Sequence, residues 1–141
     1  MRIVLDTNIV VSGLLQSQGN PAKVLTLALA GAIQPCHDKS ILAEYAEVLA
    51  RPRFKFDPEL VREVLNKLET DGLAVEATGG QPLELPDADD EPFLAVALAG
   101  GADFLVTGNL AHFPKEKRRG CTVVSPAEFM ELWRRSNPET E

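Results

Sequence analysis

The feature that most constrains this chain is an alternation along its length. Short apolar runs are separated by longer stretches whose apolar residues recur at helical spacing. The short runs are Ile3-Val4-Leu5 and residues 33–37, 73–77, 103–107 and 121–125. Short apolar runs bounded by turn formers read as buried strands, and the longer amphipathic stretches read as helices. Helices are expected over 9–15, 21–31, 41–50, from Asp57-Pro58 through Leu68, over 93–99, and from Ser125-Pro126 through Trp133. Strands alternating with helices imply an α/β fold, a central parallel sheet flanked by helices on both faces.

Local signals set the boundaries. Asn20 is the expected N-cap before Pro21, and Asp38 or Ser40 caps the helix that stops at Arg51-Pro52. Leu60, Val61, Val64, Leu65 and Leu68 make one apolar side of the fourth helix. A turn is expected at Gly79-Gly80-Gln81-Pro82. At 141 residues the chain fits one domain, read as residues 1–135 with a frayed tail at 136–141. Two distant cysteines exclude a disulfide scaffold. No apolar run approaches the ~20 residues of a membrane helix. The chain enters its first strand at once, leaving no room for a signal peptide, so a cytoplasmic protein without membrane attachment is expected.

Charge is unevenly spread. The chain carries 14 Lys+Arg against 21 Asp+Glu, a net charge of −7. That disfavours gripping nucleic acid by bulk charge. Yet Arg51, Arg53 and Lys55 form a basic run, and Lys115, Lys117, Arg118 and Arg119 form another. An acidic pocket rimmed by such runs suits a metal site that handles a polyanion. Each run taken alone also reads as a solvated face.

Three acids stand where chemistry is done. Asp6 follows the first strand, and ligands of parallel sheets bind beyond the carboxyl ends of strands. It also suits a plain helix cap, as does Asn8. At ~100° per residue, Glu44 lies at the border of the apolar arc of its helix, while Glu47 lies nearly opposite that arc. The cluster Asp87-Ala88-Asp89-Asp90-Glu91 precedes a helix. One cap needs one acid, so the surplus repels unless a cation neutralises it. Within the cluster Asp90 leans toward the core side and Glu91 is rotated away. Thr107-Gly108-Asn109 is a polar turn at another strand end. Oxygen ligands of this kind suit Mg²⁺ or Mn²⁺. His37 and His112 read as isolated, so nothing points to zinc. Phosphate-binding glycine loops and a nucleophile elbow are absent from the sequence.

Asp6-Thr7-Asn8, Glu44 ahead of Arg51-Pro52-Arg53-Phe54, Asp87-x-x-Asp90-Glu91-x-Phe93-Leu94 and Leu105-Val106-Thr107-Gly108-Asn109 together resemble the PIN-domain family. They are most similar to its bacterial branch of toxin–antitoxin toxins, the VapC type. The resemblance implies a Mg²⁺- or Mn²⁺-dependent endoribonuclease, with Asp6, Glu44 and Asp90 as catalytic and metal-binding acids. Asn8, Glu91, Thr107 and Asn109 would support them, and Glu91 is the alternative match to the third acid. Arg51, Arg53, Lys55, Lys117, Arg118 and Arg119 are the candidate RNA contacts. A cognate antitoxin and a homodimer are implied by the family alone. One position departs from the pattern: Asn109 stands where the family often has a fourth acid, and it adds no charge. Two other readings stay open. One is an Asp-nucleophile phosphoryl-transfer domain, although its Asp-x-Asp signature here reads Asp6-Thr7-Asn8. The other is a scaffold of this family that binds a partner and cuts nothing.

Overall fold

A computed structural model of the chain describes residues 1–77 and 82–138. The described residues form five strands: β1 (Arg2–Leu5), β2 (Gln34–His37), β3 (Leu73–Ala74), β4 (Phe104–Val106) and β5 (Val123–Val124). The helices are α1 (Thr7–Leu15), α2 (Asn20–Leu29), α3 (Lys39–Leu49), α4 (Pro58–Asp71), α5 (Glu91–Ala99) and α6 (Pro126–Ser136). The strands form one parallel sheet in the order β3-β2-β1-β4-β5.

The central strand explains the layers. Ile3, Val4 and Leu5 are each fully buried. Successive strand residues point to opposite faces, so burial of all three requires cover on both sides. Ile3, Val4 and Leu5 pair with Phe104, Leu105 and Val106, which sets the ends of β1 and β4 side by side. On α6, Phe129 packs edge-on against Phe104 with ring centroids 5.7 Å apart, and Trp133 stacks on Phe129. This helix starts with a reciprocal cap: Ser125 Oγ accepts the Glu128 N–H at 3.1 Å, and Glu128 accepts the Ser125 N–H at 2.8 Å.

Several expected boundaries move. Gly19, at φ 131°, is the cap of α2, and Asn20 is already helical. Only glycine takes that backbone angle without strain, and this displaces the cap by one residue. Of the two candidates at α3, Asp38 is the cap, accepting the Ile41 N–H at 2.8 Å. The edge strand β3 has two residues rather than five and pairs only with β2, in keeping with the shortness of protected sheet edges. Leu60 is 43% exposed, because Val64 and Leu68, one turn apart, form the buried seam of α4. The expected turn at 79–82 falls outside the described residues except for Pro82, and 139–141 also lie outside them. No described helix is long and apolar enough to cross a membrane.

Candidate active site

The strand order reverses between β1 and β4. The chain builds outward through β2 and β3, then returns to the other side of β1 for β4 and β5. In open parallel sheets this reversal leaves a crevice beyond the strand ends where ligands bind. Asp6, the residue after β1, lies there and is 4% exposed. Its Oδ1 accepts the Thr7 N–H at 2.8 Å and so caps α1. Its Oδ2 accepts the Thr107 hydroxyl at 2.7 Å and the Asn8 side-chain amide at 3.3 Å. Thr107 follows β4 and is fully buried. Asn8 ties the two strand ends a second time, its Oδ1 accepting the Gly108 N–H at 2.9 Å. A Cβ on Gly108 would stand 3.3 Å from that oxygen, tight enough to press on Asn8. Asp6 is therefore both a cap and a fixed carboxylate in the crevice.

Two further acids arrive from other elements. Tyr45 on α3 donates its hydroxyl to the Leu5 carbonyl at 2.5 Å, pinning the helix against the end of β1. Its neighbour Glu44, half-buried, accepts the Thr7 hydroxyl. Asp90 ends the turn Ala88–Asp90 that leads into α5, and it is 8% exposed. One of its oxygens lies 2.8 Å from His112 Nδ1, yet that oxygen is buried without a well-aligned hydrogen bond. The distance is that of an ion pair if the imidazole is protonated. Asp6, Glu44, Asp87, Asp90 and His112 wall a cleft of about 550 Å³, with Arg53 among its lining residues.

The electrostatics are those of uncompensated acids. Among the described residues, no Lys or Arg pairs with Asp6, Glu44 or Asp90. Burial raises the Asp6 carboxyl above its usual range, opposed by the hydrogen bond from Thr107. Glu44 is raised by burial, opposed by Thr7, with the Asp6 charge adding to the rise. Asp90 is pushed up to about 6 by burial and then by the Asp6 charge, against the favourable effect of His112. Raised carboxylates grouped in a cleft make it the candidate functional site. A donor set of carboxylates with one imidazole, including a buried oxygen that lacks an aligned partner, fits a divalent cation.

Comparisons with known proteins bear on the family and the fold. A model of the PIN domain matches residues 2–111. The chain belongs to the PIN-domain family. The fold is also similar to the crystal structure of FitAcB from Neisseria gonorrhoeae, at a TM-score of 0.55 and 18% identity, covering 89% of this chain and 98% of that one. A search of curated proteins gives no match.

In this PIN domain the expected residues separate into two groups. Asp6, Asn8, Glu44 and Asp90 line the cleft, and Thr107 lies beneath Asp6. Glu91 is turned elsewhere: its carboxylate accepts the Leu83 N–H at 3.1 Å and holds the segment before α5. Asn109 is exposed and does not line the cleft; its N–H donates to Thr107 Oγ1 at 3.0 Å. Of the basic residues, Arg51 and Arg53 reach the cleft and Lys55 does not. Lys117 faces Glu84 at 3.5 Å, Arg118 donates to the Phe113 carbonyl at 2.8 Å, and Arg119 is exposed. Glu47 also borders the cleft, although it is largely exposed and ion-paired with Arg51 at 3.0 Å.

His112 corrects the sequence reading. It is not isolated: Asp87, Asp90 and His112 offer donor atoms that all lie within 4.8 Å of one another. The available signal was its place in the segment that follows β4, the same strand end that supplies Thr107. Its distance in sequence from Asp90 hid the contact.

Proposed function

We propose that this PIN domain is a Mg²⁺- or Mn²⁺-dependent endoribonuclease and the toxin component of a toxin–antitoxin pair. The observation that carries the reading is that three buried or half-buried acids, from three different elements, line one cleft at the topological switch point, with no Lys or Arg among the described residues paired to them. Asp6, Glu44 and Asp90 are the residues that would hold the cation. When bound, a divalent ion supplies Lewis acidity, making water a better nucleophile at neutral pH and offsetting charge on a phosphodiester.

The chain's own groups have separate tasks in this reading. Thr107 and Asn8 hold Asp6 in one orientation, as supporting hydrogen bonds do around metal ligands. Thr7 does the same for Glu44. Arg51 and Arg53, at the rim, offset the repulsion between RNA phosphates and an acidic protein. Arg53 stacks over the Phe54 ring, 4.7 Å from its centroid, which holds the guanidinium at the cleft. A toxin of this type implies an antitoxin that occupies the chain until release, and a homodimer. Co-expression with the product of an adjacent reading frame, and light scattering of the purified chain, test these two partners.

Cleavage of a synthetic single-stranded RNA with Mg²⁺ or Mn²⁺ tests the activity. Cutting is expected in the parent, with loss in Asp6→Asn, Glu44→Gln and Asp90→Asn and parent-like rates in Glu47→Gln. Uncut RNA with either metal would favour the partner-binding scaffold. A covalent acyl-phosphate on Asp6 would instead favour phosphoryl transfer.

A further inference from the structure

We propose that Asp87, Asp90 and His112 give this centre a nitrogen ligand, so that it selects a first-row transition dication, with Mn²⁺ as the probe, over Mg²⁺. The inference rests on the nuclease reading for its biological use but not for its chemistry. The sequence alone pointed to an all-oxygen site, to which Mg²⁺ and Mn²⁺ are nearly equivalent guests.

Three observations support it. First, His112 Nδ1 and an Asp90 oxygen are 2.8 Å apart. Neighbouring ligands on an octahedral ion with bonds of ~2.1 Å lie ~3.0 Å apart, so this spacing needs little adjustment. Second, that Asp90 oxygen belongs to a residue 8% exposed, and among the described residues it makes no aligned hydrogen bond beyond its contact with His112. A buried carboxylate oxygen in that state calls for a cation or a bridging group. Third, the donors are already held in place. Asp87 gives one oxygen to the Asp89 N–H at 2.9 Å, which fixes the carboxylate. His112 is fixed on the turn Leu110–His112, its own N–H donating to Asn109 O at 3.1 Å, and the next residue, Phe113, is fully buried. The imidazole is thus carried to the cleft by a core anchor.

The consequence is a preference in metal chemistry. Mg²⁺ favours oxygen ligands and gives up water reluctantly, so an imidazole adds little to its binding. Transition dications accept imidazole nitrogen, and their affinity for mixed nitrogen and oxygen sites rises along the first row. His112, rather than the uncharged Asn109, then completes the ligand set.

Pulsed electron paramagnetic resonance of the Mn²⁺-loaded chain tests this without reference to turnover. The expected result is modulation from a directly bound ¹⁴N in the parent, absent in His112→Gln. Competition titrations should show the Mn²⁺-over-Mg²⁺ affinity ratio falling by about tenfold or more in the variant, with Mg²⁺ affinity little changed. His112 is partly exposed, and circular dichroism checks that the variant folds. Absence of nitrogen coupling in the parent, failure of Mn²⁺ to bind, or an unchanged ratio would overturn the proposal. RNA cleavage that persists without nitrogen coupling removes only this inference. Nitrogen coupling in a chain that cuts no RNA removes the nuclease reading and leaves the metal site.

Discussion

The two ends of the β1–β4 pair treat their acids in opposite ways. At the amino end, Asp103 accepts the Arg2 backbone N–H at 2.8 Å, and the Arg2 guanidinium donates to the Gly100 carbonyl at 3.0 Å. That acid is exposed and satisfies a backbone N–H at the start of the central strand. At the carboxyl end, Asp6 and Asp90 are buried, and Asp90 is raised to about 6. The first arrangement consolidates the fold. The second concentrates repulsion that a fold alone has no use for, and such departures from local consistency collect at functional sites.

The largest expected difference between the two ends is in activity. Asp6→Asn should lower metal-dependent RNA cleavage by ~100-fold or more, because even residues that merely support metal ligands are typically worth 10- to 100-fold. Asp103→Asn should cleave at the parental rate. Equal loss in both would mean that the ends do not differ in function. Thr107→Val sharpens the assignment of Asp6. Removing the 2.7 Å hydrogen bond should reduce cleavage by ~10-fold or more and destabilise the chain by ~1–3 kcal/mol, read from activity and urea unfolding.

Stability against pH gives a third contrast. The folded state binds the Asp90 proton more tightly than the unfolded chain does. The metal-free protein should therefore be most stable below the ordinary carboxylate value of 3.8, as far as this group is concerned, and lose that contribution as pH rises to about 6. Asp90→Asn should abolish that decline and gain on the order of 1–2 kcal/mol at pH 7. Urea midpoints across this range read it directly, and a variant less stable than the parent at pH 7 would contradict it.

The smallest effect concerns the RNA path. Arg51 and Arg53 border the cleft, whereas Lys117 and Arg118 engage Glu84 and the Phe113 carbonyl. Arg53→Ala should reduce the salt slope of single-stranded RNA binding by ~0.7, the value of one phosphate contact. Replacing Lys117, Arg118 and Arg119 by Ala should change the slope less. The reverse order would move the RNA to the far rim.

Much of this layout was legible from sequence because its causes are local. Ile3-Val4-Leu5 followed by Asp6 places an acid at a strand end without further information. The border position of Glu44 follows from helical periodicity, and it is half-buried as expected while Glu47 stays exposed. What sequence hid depends on contacts between distant segments. Glu91 serves Leu83, and His112 meets Asp90 only once β4 has packed beside β1. The two-residue β3 lies at the sheet edge, a position that its own residues do not reveal.

The central claim is that the carboxyl-end acids are held together for a cation, and thermal unfolding with and without Mn²⁺ tests it most directly. At 100 times its dissociation constant, a ligand bound only by the folded state stabilises it by ~2.7 kcal/mol. The parent should melt several degrees higher with saturating Mn²⁺. Asp90→Asn should start higher than the parent without metal and gain little when it is added. Identical metal-induced shifts in the two proteins, or none in either, would contradict the account.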